Sequence, residues 1–194
     1  MSPLHICLDI ETLGTKPGCI ITELAFRSFN LDGKRNNKAR FHMNISIEDC
    51  QANGLLPDPD TLAWWQQEEH KEAYQALLAS QKDAFGLAPV MEKAYKILTD
   101  LSQQYTLYIW GRGIGSFDLP ILDYAMRHVI GPDYRTPWAF WQAMDIRTLY
   151  RFMGWCGMER SAQEPPHSAI EDVNIEINQI QSCYKFANKP DKAE

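Results

Sequence analysis

The chain has 194 residues, of which 45% are hydrophobic, and its formal net charge is -6. This length and composition are enough to bury one substantial core, so we expect a single domain. The acidic balance argues against a protein that coats nucleic acid by bulk electrostatic attraction, because such proteins usually have a basic excess. A strand can still be held locally, at a small basic or metal-loaded site.

Cysteine usage and apolar segments indicate a reducing, aqueous compartment. The five cysteines are scattered and contain no CxxC pair, which argues against a disulfide framework and a zinc ribbon. No stretch approaches the roughly 20 apolar residues that cross a bilayer, and the N-terminus has no basic segment followed by an apolar run. We therefore expect a cytoplasmic protein that is neither secreted nor inserted in a membrane.

The first part of the chain predicts an antiparallel three-strand meander. Residues Leu4 to Ile10 alternate between two kinds of side chain, which is the period of a strand, and Glu11 continues the second face. Asp32-Gly33 is typical of a tight turn between strands. The predicted strands are Leu4–Ile10, Cys19–Phe29 and Arg40–Ile47.

Helical patterns fill most of the remaining chain, with one short buried strand predicted at Tyr105–Trp110. The predicted helices are one capped by Asp60 and continued through Ala73–Ser80, and then Pro89–Gln104, Phe117–Ile130, Ile146–Phe152 and Ser168–Phe186. The succession of strands and helices predicts an α/β domain.

Two carboxylates stand at the end of the first predicted strand. Asp9 and Glu11 are two residues apart, so both side chains project from the same face, where the following turn opens to solvent. Two carboxylates this close repel each other unless a cation lies between them. Alone, the pair is weak evidence for a metal site, because acidic pairs at strand ends are common.

Two further motifs supply carboxylates and a histidine. Asp118 falls in the first turn of a predicted helix, where an isolated aspartate more often complements the helix dipole. His167 precedes the last predicted helix and Asp172 lies in its opening turns. Taken singly, these two residues are equally consistent with a helix cap and a helix-start acid.

Together, the three motifs have the composition that two-metal phosphodiester cleavage requires. Mg²⁺ and Mn²⁺ prefer carboxylate oxygens, and two ions roughly 3.5–4 Å apart stabilise both the attacking water and the leaving 3′ oxygen. A neutral histidine nearby can accept the proton of the water. The joint pattern is far more specific than any of its parts.

The three motifs also occur in the order and spacing of a known family. They are Leu8-Asp9-Ile10-Glu11-Thr12, Ser116-Phe117-Asp118 and His167-Ser168-Ala169-Ile170-Glu171-Asp172. In this pattern the chain resembles the DEDDh 3′-to-5′ exonucleases of the RNase T-like and DnaQ-like superfamily, and the four residues between His167 and Asp172 match the histidine subclass.

The resemblance implies a fold, a ligand set and a catalytic base. The fold is ribonuclease H-like, with a mixed central sheet that opens on the antiparallel three-strand meander and is flanked by helices. Two Mg²⁺ or Mn²⁺ ions are held by Asp9, Glu11, Asp118 and Asp172, and His167 is the general base. We expect a single exonuclease domain over residues 1–187, and the polar segment 188–194, which contains Pro190, is expected to be a flexible tail.

Several spacer features resemble those of the bacterial and phage exodeoxyribonuclease VIII-like branch, which the chain resembles most. These features are Thr61–Trp65, Trp110-Gly111, Pro137-Trp138 with Phe140-Trp141, and Asp145–Thr148. The resemblance covers nearly the whole chain, from about Leu4 to Tyr184. RNase T pairs as a dimer, so a homodimer is also expected.

Several residues are candidates for holding the strand, namely Thr12, Leu13, Gly14, Trp64, Trp65 and Phe117. The segment after the first motif is expected to approach the terminal nucleotide, with an ordinary turn as the alternative. The adjacent tryptophans lie about 100° apart on a helix, so one is expected to stack on a base while the other packs in the core. Arg112 and Arg147 are candidates for phosphate contacts, although Arg147 is also placed to pair with Asp145.

The predicted activity is hydrolysis of the terminal phosphodiester of single-stranded nucleic acid, with DNA favoured, to release 5′-mononucleotides. An RNA-trimming exoribonuclease or oligoribonuclease has the same metal site, and the contacts to the 2′ hydroxyl that separate the two cannot be read from the sequence. A non-catalytic nucleic-acid-binding module is a further hypothesis. It is disfavoured because all five catalytic positions carry the expected residue types.

Overall fold

A computed structural model describes residues 1–159 and 166–189. Within them, one five-stranded mixed sheet has the order β3-β2-β1-β4-β5. Its strands are β1 Ser2–Thr12, β2 Ile21–Phe29, β3 Arg40–Asn44, β4 Tyr105–Gly111 and β5 Ala143–Asp145. The first three strands pair antiparallel, whereas β4 runs parallel to β1 and β5 parallel to β4. The predicted three-strand meander is confirmed.

Helices cover both faces of the sheet. In the described part of the chain they are α1 Ile47–Ala52, α2 Pro59–Trp65, α3 Lys71–Ser80, α4 Leu87–Ser102, α5 Asp118–Ile130, α6 Ile146–Trp155 and α7 Ala169–Ala187. None of these helices has the length and apolar character needed to cross a membrane. Most of the predicted tail, residues 190–194, lies outside the described residues.

The third strand is shorter than the sequence predicts. It ends at Asn44, and a short helix that the sequence did not predict begins at Ile47. The cause is Ser46, whose Oγ accepts a hydrogen bond from the Asp49 backbone N–H at 3.1 Å. A serine at this position satisfies one of the free N–H groups of a first helical turn and so favours the helix over the strand.

The cap of α2 also differs from the prediction. Asp58, not Asp60, is the N-cap, because its Oδ1 accepts a hydrogen bond from the Asp60 N–H at 2.9 Å. Pro59 then occupies the first helical position, where its missing N–H costs nothing. A 3₁₀ turn at Glu68–His70 separates α2 from α3, which the sequence had suggested were continuous.

The two faces of the sheet bury two separate cores. The larger core takes the apolar side chains of one face of β1 and packs them against α4 and α5. The smaller core lies beneath α7 and takes Cys7 from the other face, together with Val173 and Ile177. Asp9 and Glu11 continue the Cys7 face at alternate positions, so they lie at the end of the sheet where α7 begins.

Candidate active site

The site forms where the carboxyl ends of β1 and β4 meet the first turns of two helices. Parallel pairing of β1 with β4 brings these two strand ends to the same edge of the sheet. The chain leaves β4 through a glycine-rich loop and enters α5 at Asp118, while α7 begins just after His167. A cavity of about 620 Å³ opens at this end of the sheet. Its lining includes Asp9, Glu11, Asp118, His167 and Asp172.

The acidic side chains of the motifs converge. One carboxylate oxygen from each of Asp9, Glu11 and Asp172 lies within 4.8 Å of the others. Asp118 is 2% exposed and lines the same cavity. Within the described residues, Oδ1 of the buried Asp172 has no hydrogen-bond partner. Oxygen clusters of this kind are the ligands that hard divalent cations prefer.

Burial and mutual repulsion raise the pKa values of these carboxyl groups. Burial raises the pKa of Asp9 well above its usual range, and the charges of Asp118 and Glu11 raise it further. Burial likewise raises the pKa of Asp118 to about 7 and that of Asp172 to about 6. A cation bound among them would reverse these shifts, because it favours the charged form of every neighbour.

His167 has a left-handed backbone conformation, and its ring contacts other aromatic rings. Its φ of 57° is the one positive φ of a non-glycine residue in the ranges 1–159 and 166–189, a conformation that costs energy for most side chains. Its ring lies edge-on to Trp64 with centroids 5.1 Å apart, and edge-on to His70 at 5.3 Å. These contacts position the imidazole, which lines the acidic cavity.

A fifth carboxylate, which the sequence reasoning missed, lies one helical turn beyond Asp172. Glu176 is 1% exposed and lines the cavity. Its Oε1 lies 3.4 Å from Nε of Arg112, and its Oε2 accepts a hydrogen bond from the Cys7 thiol at 3.3 Å. Burial raises the pKa of Glu176 to about 8. The i, i+4 spacing from Asp172 placed both side chains on one face of α7, and this was the available signal.

The two candidate phosphate ligands differ in their surroundings. Arg112 is engaged by Glu176 and also donates from Nη2 to Gln179 Oε1 at 3.0 Å. Arg147 lines the cavity, and its charge offsets part of the rise that burial causes in the pKa of Asp118. The Asp145 carboxylate accepts hydrogen bonds from the backbone N–H groups at the start of α6. Among the described residues it forms no ion pair with the Arg147 guanidinium.

The residues predicted to touch the strand divide into two groups. Those that line the cavity are Thr12, Gly14, Trp64, Trp65 and Phe117. Leu13 is 3% exposed and packs in the larger core.

The tryptophans are unequal, as the helical geometry predicts. Trp65 is 2% exposed, and its Nε1 donates to the Thr12 carbonyl oxygen at 3.0 Å, so it braces the segment after the first motif. Trp64 is only partly buried, and its ring stacks on His70 with centroids 3.7 Å apart. Of the two, Trp64 has the more accessible ring.

Comparison with protein families identifies the chain. Residues 4–184 match the model of the Rv2179c-like 3′-5′ exoribonuclease domain family. The chain belongs to this family. No curated protein sequence matches the exonuclease domain significantly.

Solved structures show the same fold. E. coli exonuclease I in complex with a dT13 oligonucleotide superposes with a TM-score of 0.60, at 16% identity, over 93% of this domain and 40% of that chain. The zinc-bound form of the E. coli exonuclease I complex with single-stranded DNA gives 0.61, at 15% identity, over 97% of this domain and 41% of that chain. The exonuclease domain therefore spans about two fifths of these chains.

These comparisons confirm the main predictions from the sequence. The fold is ribonuclease H-like, and the chain belongs to a family of 3′-5′ exoribonuclease domains. The narrower placement in the exodeoxyribonuclease VIII-like branch stays a prediction, because the matching family carries a different description. The extent of the domain over residues 1–187 and the roles of the individual site residues stay predictions too.

Proposed function

We propose that the domain removes 5′-mononucleotides one at a time from the 3′ end of single-stranded nucleic acid, and that Asp9, Glu11, Asp118 and Asp172 hold two divalent cations for this reaction. The observation that carries the proposal is the convergence of three carboxylate oxygens, from the first and third motifs, within 4.8 Å. Asp118, from the second motif, lines the same cavity.

The chemistry of the donor set fits Mg²⁺ or Mn²⁺. The ligands are all carboxylates, which suit hard cations. The converging group of Asp9, Glu11 and Asp172 contains neither a cysteine nor a histidine. Asp172 Oδ1 is buried and unpartnered within the described residues, as expected of an atom that awaits a cation. When bound, two such ions supply charge stabilisation for the attacking and the leaving oxygen.

The protein residues then position and deprotonate the nucleophile. His167, at the rim of the cavity, accepts a proton from the attacking water. The water oxygen forms a bond to the terminal phosphorus while the bond from phosphorus to the 3′ oxygen of the preceding nucleotide breaks. The leaving 3′ oxygen takes up a proton from solvent, so the products are a 5′-mononucleotide and a strand that ends in a new 3′ hydroxyl. Arg147 lines the cavity and so offers a positive charge that can offset the charge that develops on the phosphate.

RNA is the substrate that the family description favours. DNA is the second candidate, because it was favoured by the resemblance to the exodeoxyribonuclease VIII-like branch and because the similar exonuclease I structures hold DNA oligonucleotides. Those structures are only 15–16% identical to this chain, so their similarity supports the fold and does not decide the substrate. We therefore place RNA first.

The largest predicted effect belongs to Asp118→Asn, which replaces a ligand oxygen with an amide of the same size. We expect it to abolish digestion of 5′-labelled single strands in Mg²⁺ or Mn²⁺, as EDTA does to the wild type. Matched RNA and DNA strands of one sequence, read as product ladders on a gel, would rank the two substrates. Asp100→Asn, an exposed carboxylate paired with Lys96 on α4, is the control and should keep the wild-type rate. Wild-type turnover by Asp118→Asn would disprove the ligand assignment.

Two further expectations belong to the proposal. A cytoplasmic setting agrees with the five cysteines, all of which are free thiols, because disulfides form mainly in oxidising compartments. A homodimer is expected from the resemblance to RNase T, and light scattering of the purified protein tests it.

A further inference from the structure

The outer face of α6 combines exposed cations with exposed aromatic rings. The exposed side chains of the helix recur at i, i+1, i+4, i+5 and i+8, which is one face of an α-helix. They are Arg147, Thr148, Arg151, Phe152 and Trp155. Phe152 is 54% exposed and Trp155 is 77% exposed. Neighbouring large aromatic side chains that are exposed to solvent indicate a surface to which a ligand or partner binds.

The packing of α6 does not account for this face. Ile146 is buried in the smaller core and Leu149 packs against that core. These two residues point toward α7, opposite the exposed set, and they are enough to hold the helix on the domain. In the part of the chain that the structure describes, Phe152 and Trp155 belong to neither hydrophobic core.

The same face is locally basic on an acidic protein. The helix Ile146–Trp155 contains two arginines and no acidic residue, whereas the whole chain carries a net charge of -6. Its N-cap, Asp145, uses Oδ1 to accept the backbone N–H groups of Arg147 and Thr148 at 2.7 and 3.3 Å. In the described part of the chain, neither Arg147 nor Arg151 forms an ion pair. Such a face attracts a polyanion locally, although the protein as a whole is acidic.

The face is continuous with the catalytic cavity. Arg147 lines that cavity together with Asp9 and Asp118, so the N-terminal end of α6 lies at the site. From Arg147 the helix runs about 12 Å to Trp155, at about 1.5 Å per residue. A strand whose 3′ end occupies the cavity must leave it somewhere, and this is a basic and aromatic path that starts at its edge.

We infer that the outer face of α6 is the track for the single strand upstream of its terminal nucleotide, with Arg147 and Arg151 contacting phosphates and with Phe152 and Trp155 stacking on bases. The inference rests on the proposed function. Stacking on an aromatic ring accepts every base, because each base has a π-face. The track therefore gives grip on the strand without sequence readout, and affinity should increase with strand length until the helix is covered.

Binding tests the track without relying on turnover. Fluorescence anisotropy would follow a labelled RNA strand of about ten nucleotides in EDTA. Trp155→Ala should weaken binding by about 5- to 150-fold, the effect of losing one base stack. Arg151→Ala should reduce the slope of log affinity against log salt by about 0.7, the effect of losing one phosphate contact on a single strand. In hydrolysis assays the rise in KM should be largest for long strands and smallest for a dinucleotide.

Two control variants lie at the outer strand β3, on the side of the sheet opposite β5. Arg40→Ala removes an exposed arginine of β3, and Phe85→Ala removes a ring that is 53% exposed beside the same edge. Both should bind and digest the strand as the wild type does. Circular dichroism checks that all variants fold.

The outcomes separate the track from the proposed function. Wild-type affinity and salt slope in the double variant Arg151→Ala with Trp155→Ala, while the wild type still digests the strand, would overturn the track alone. A wild type that binds but never hydrolyses RNA or DNA in Mg²⁺ or Mn²⁺ would overturn the proposed function instead. Conversion of a wild-type dimer to a monomer by the double variant, seen by light scattering, would show that a second copy covers the face and would also overturn the track.

Discussion

The two faces of β1 bury side chains of opposite chemistry. On one face Leu4, Ile6, Leu8 and Ile10 are at most 3% exposed and join the larger core. On the other, Cys7 meets the carboxylate of Glu176, and the positions that follow it on that face carry the acids of the site. One strand therefore serves as the centre of the hydrophobic core and as the floor of the candidate active site.

The comparison indicates that apolar packing on one face of the sheet offsets the unfavourable free energy of burying carboxylates on the other. Burying apolar surface contributes roughly 25 cal/mol per Å², whereas buried carboxylates that repel one another destabilise the fold. A protein tolerates such a site only where the neighbouring packing is secure. The two faces should consequently respond in opposite ways to substitution.

Substitution of His167 should damage the chemistry and spare the fold. We expect His167→Ala to lower kcat by about 10²- to 10⁴-fold, the usual contribution of a general base. Its melting temperature should stay close to that of the wild type, because the His167 ring lines the cavity and belongs to neither of the two hydrophobic cores. Single-turnover digestion with excess enzyme measures the rate.

A matched control is His128→Ala. His128 is exposed on α5 and stacks on Tyr124 rather than on any residue of the cavity, so its loss should leave kcat unchanged. A wild-type rate in His167→Ala would show that another group accepts the proton.

Substitution of Ile6 should do the reverse. Ile6 is 0% exposed in the larger core, and Ile6→Ala should lower the free energy of unfolding by about 2–5 kcal/mol, as large-to-small core changes do. Ile6→Val, which removes one methyl group, should cost about 0.5–1.5 kcal/mol. Urea denaturation measures both.

Well below their melting temperatures, both Ile6 variants should keep the kcat of the wild type, since Ile6 faces away from the acids. A large fall in kcat with unchanged stability would contradict the division of the strand into a packing face and a chemical face.

The division of β1 was readable from the sequence because strand alternation is a local signal. Leu4 to Ile10 alternate strictly, and this period fixed both the apolar face and the side on which Asp9 and Glu11 stand. The long α7 was predicted almost to the residue for the same reason. Short elements carry too few residues for a period, so β5 at Ala143–Asp145 and α1 at Ile47–Ala52 were missed.

Site residues without a motif were not predictable in the same way. Glu176 belongs to the site only because α7 crosses the sheet above Cys7, a tertiary contact that no local pattern encodes. The helical spacing of Ile177 and Ile180 continues to Tyr184, which is nevertheless 38% exposed, whereas its neighbour Cys183 is 2% exposed. Sequence pattern identifies a face, whereas tertiary packing decides where that face is covered.

The smallest predicted effect is the dependence of metal-free stability on pH. The pKa values of Asp172, Asp118 and Glu176 are raised to about 6, 7 and 8, chiefly by burial. Each group binds its proton more tightly in the folded protein than in the unfolded chain, where the pKa is about 4. The resulting stabilisation is complete below that value and is lost as pH rises through 6, 7 and 8.

The melting temperature in EDTA should therefore fall steadily between about pH 5 and pH 8.5, as measured by differential scanning fluorimetry. Mg²⁺ or Mn²⁺ should flatten the decline, because a cation favours the charged carboxylates that pH would otherwise penalise. Glu176→Gln should make the fall shallower over the whole range and abolish the part above about pH 7, since its amide does not titrate and the pKa of Glu176 is the highest of the three, at about 8. A metal-free melting temperature that rises over this range would mean that the acids are not buried together, and the contrast between the two faces of β1 would then lose its energetic basis.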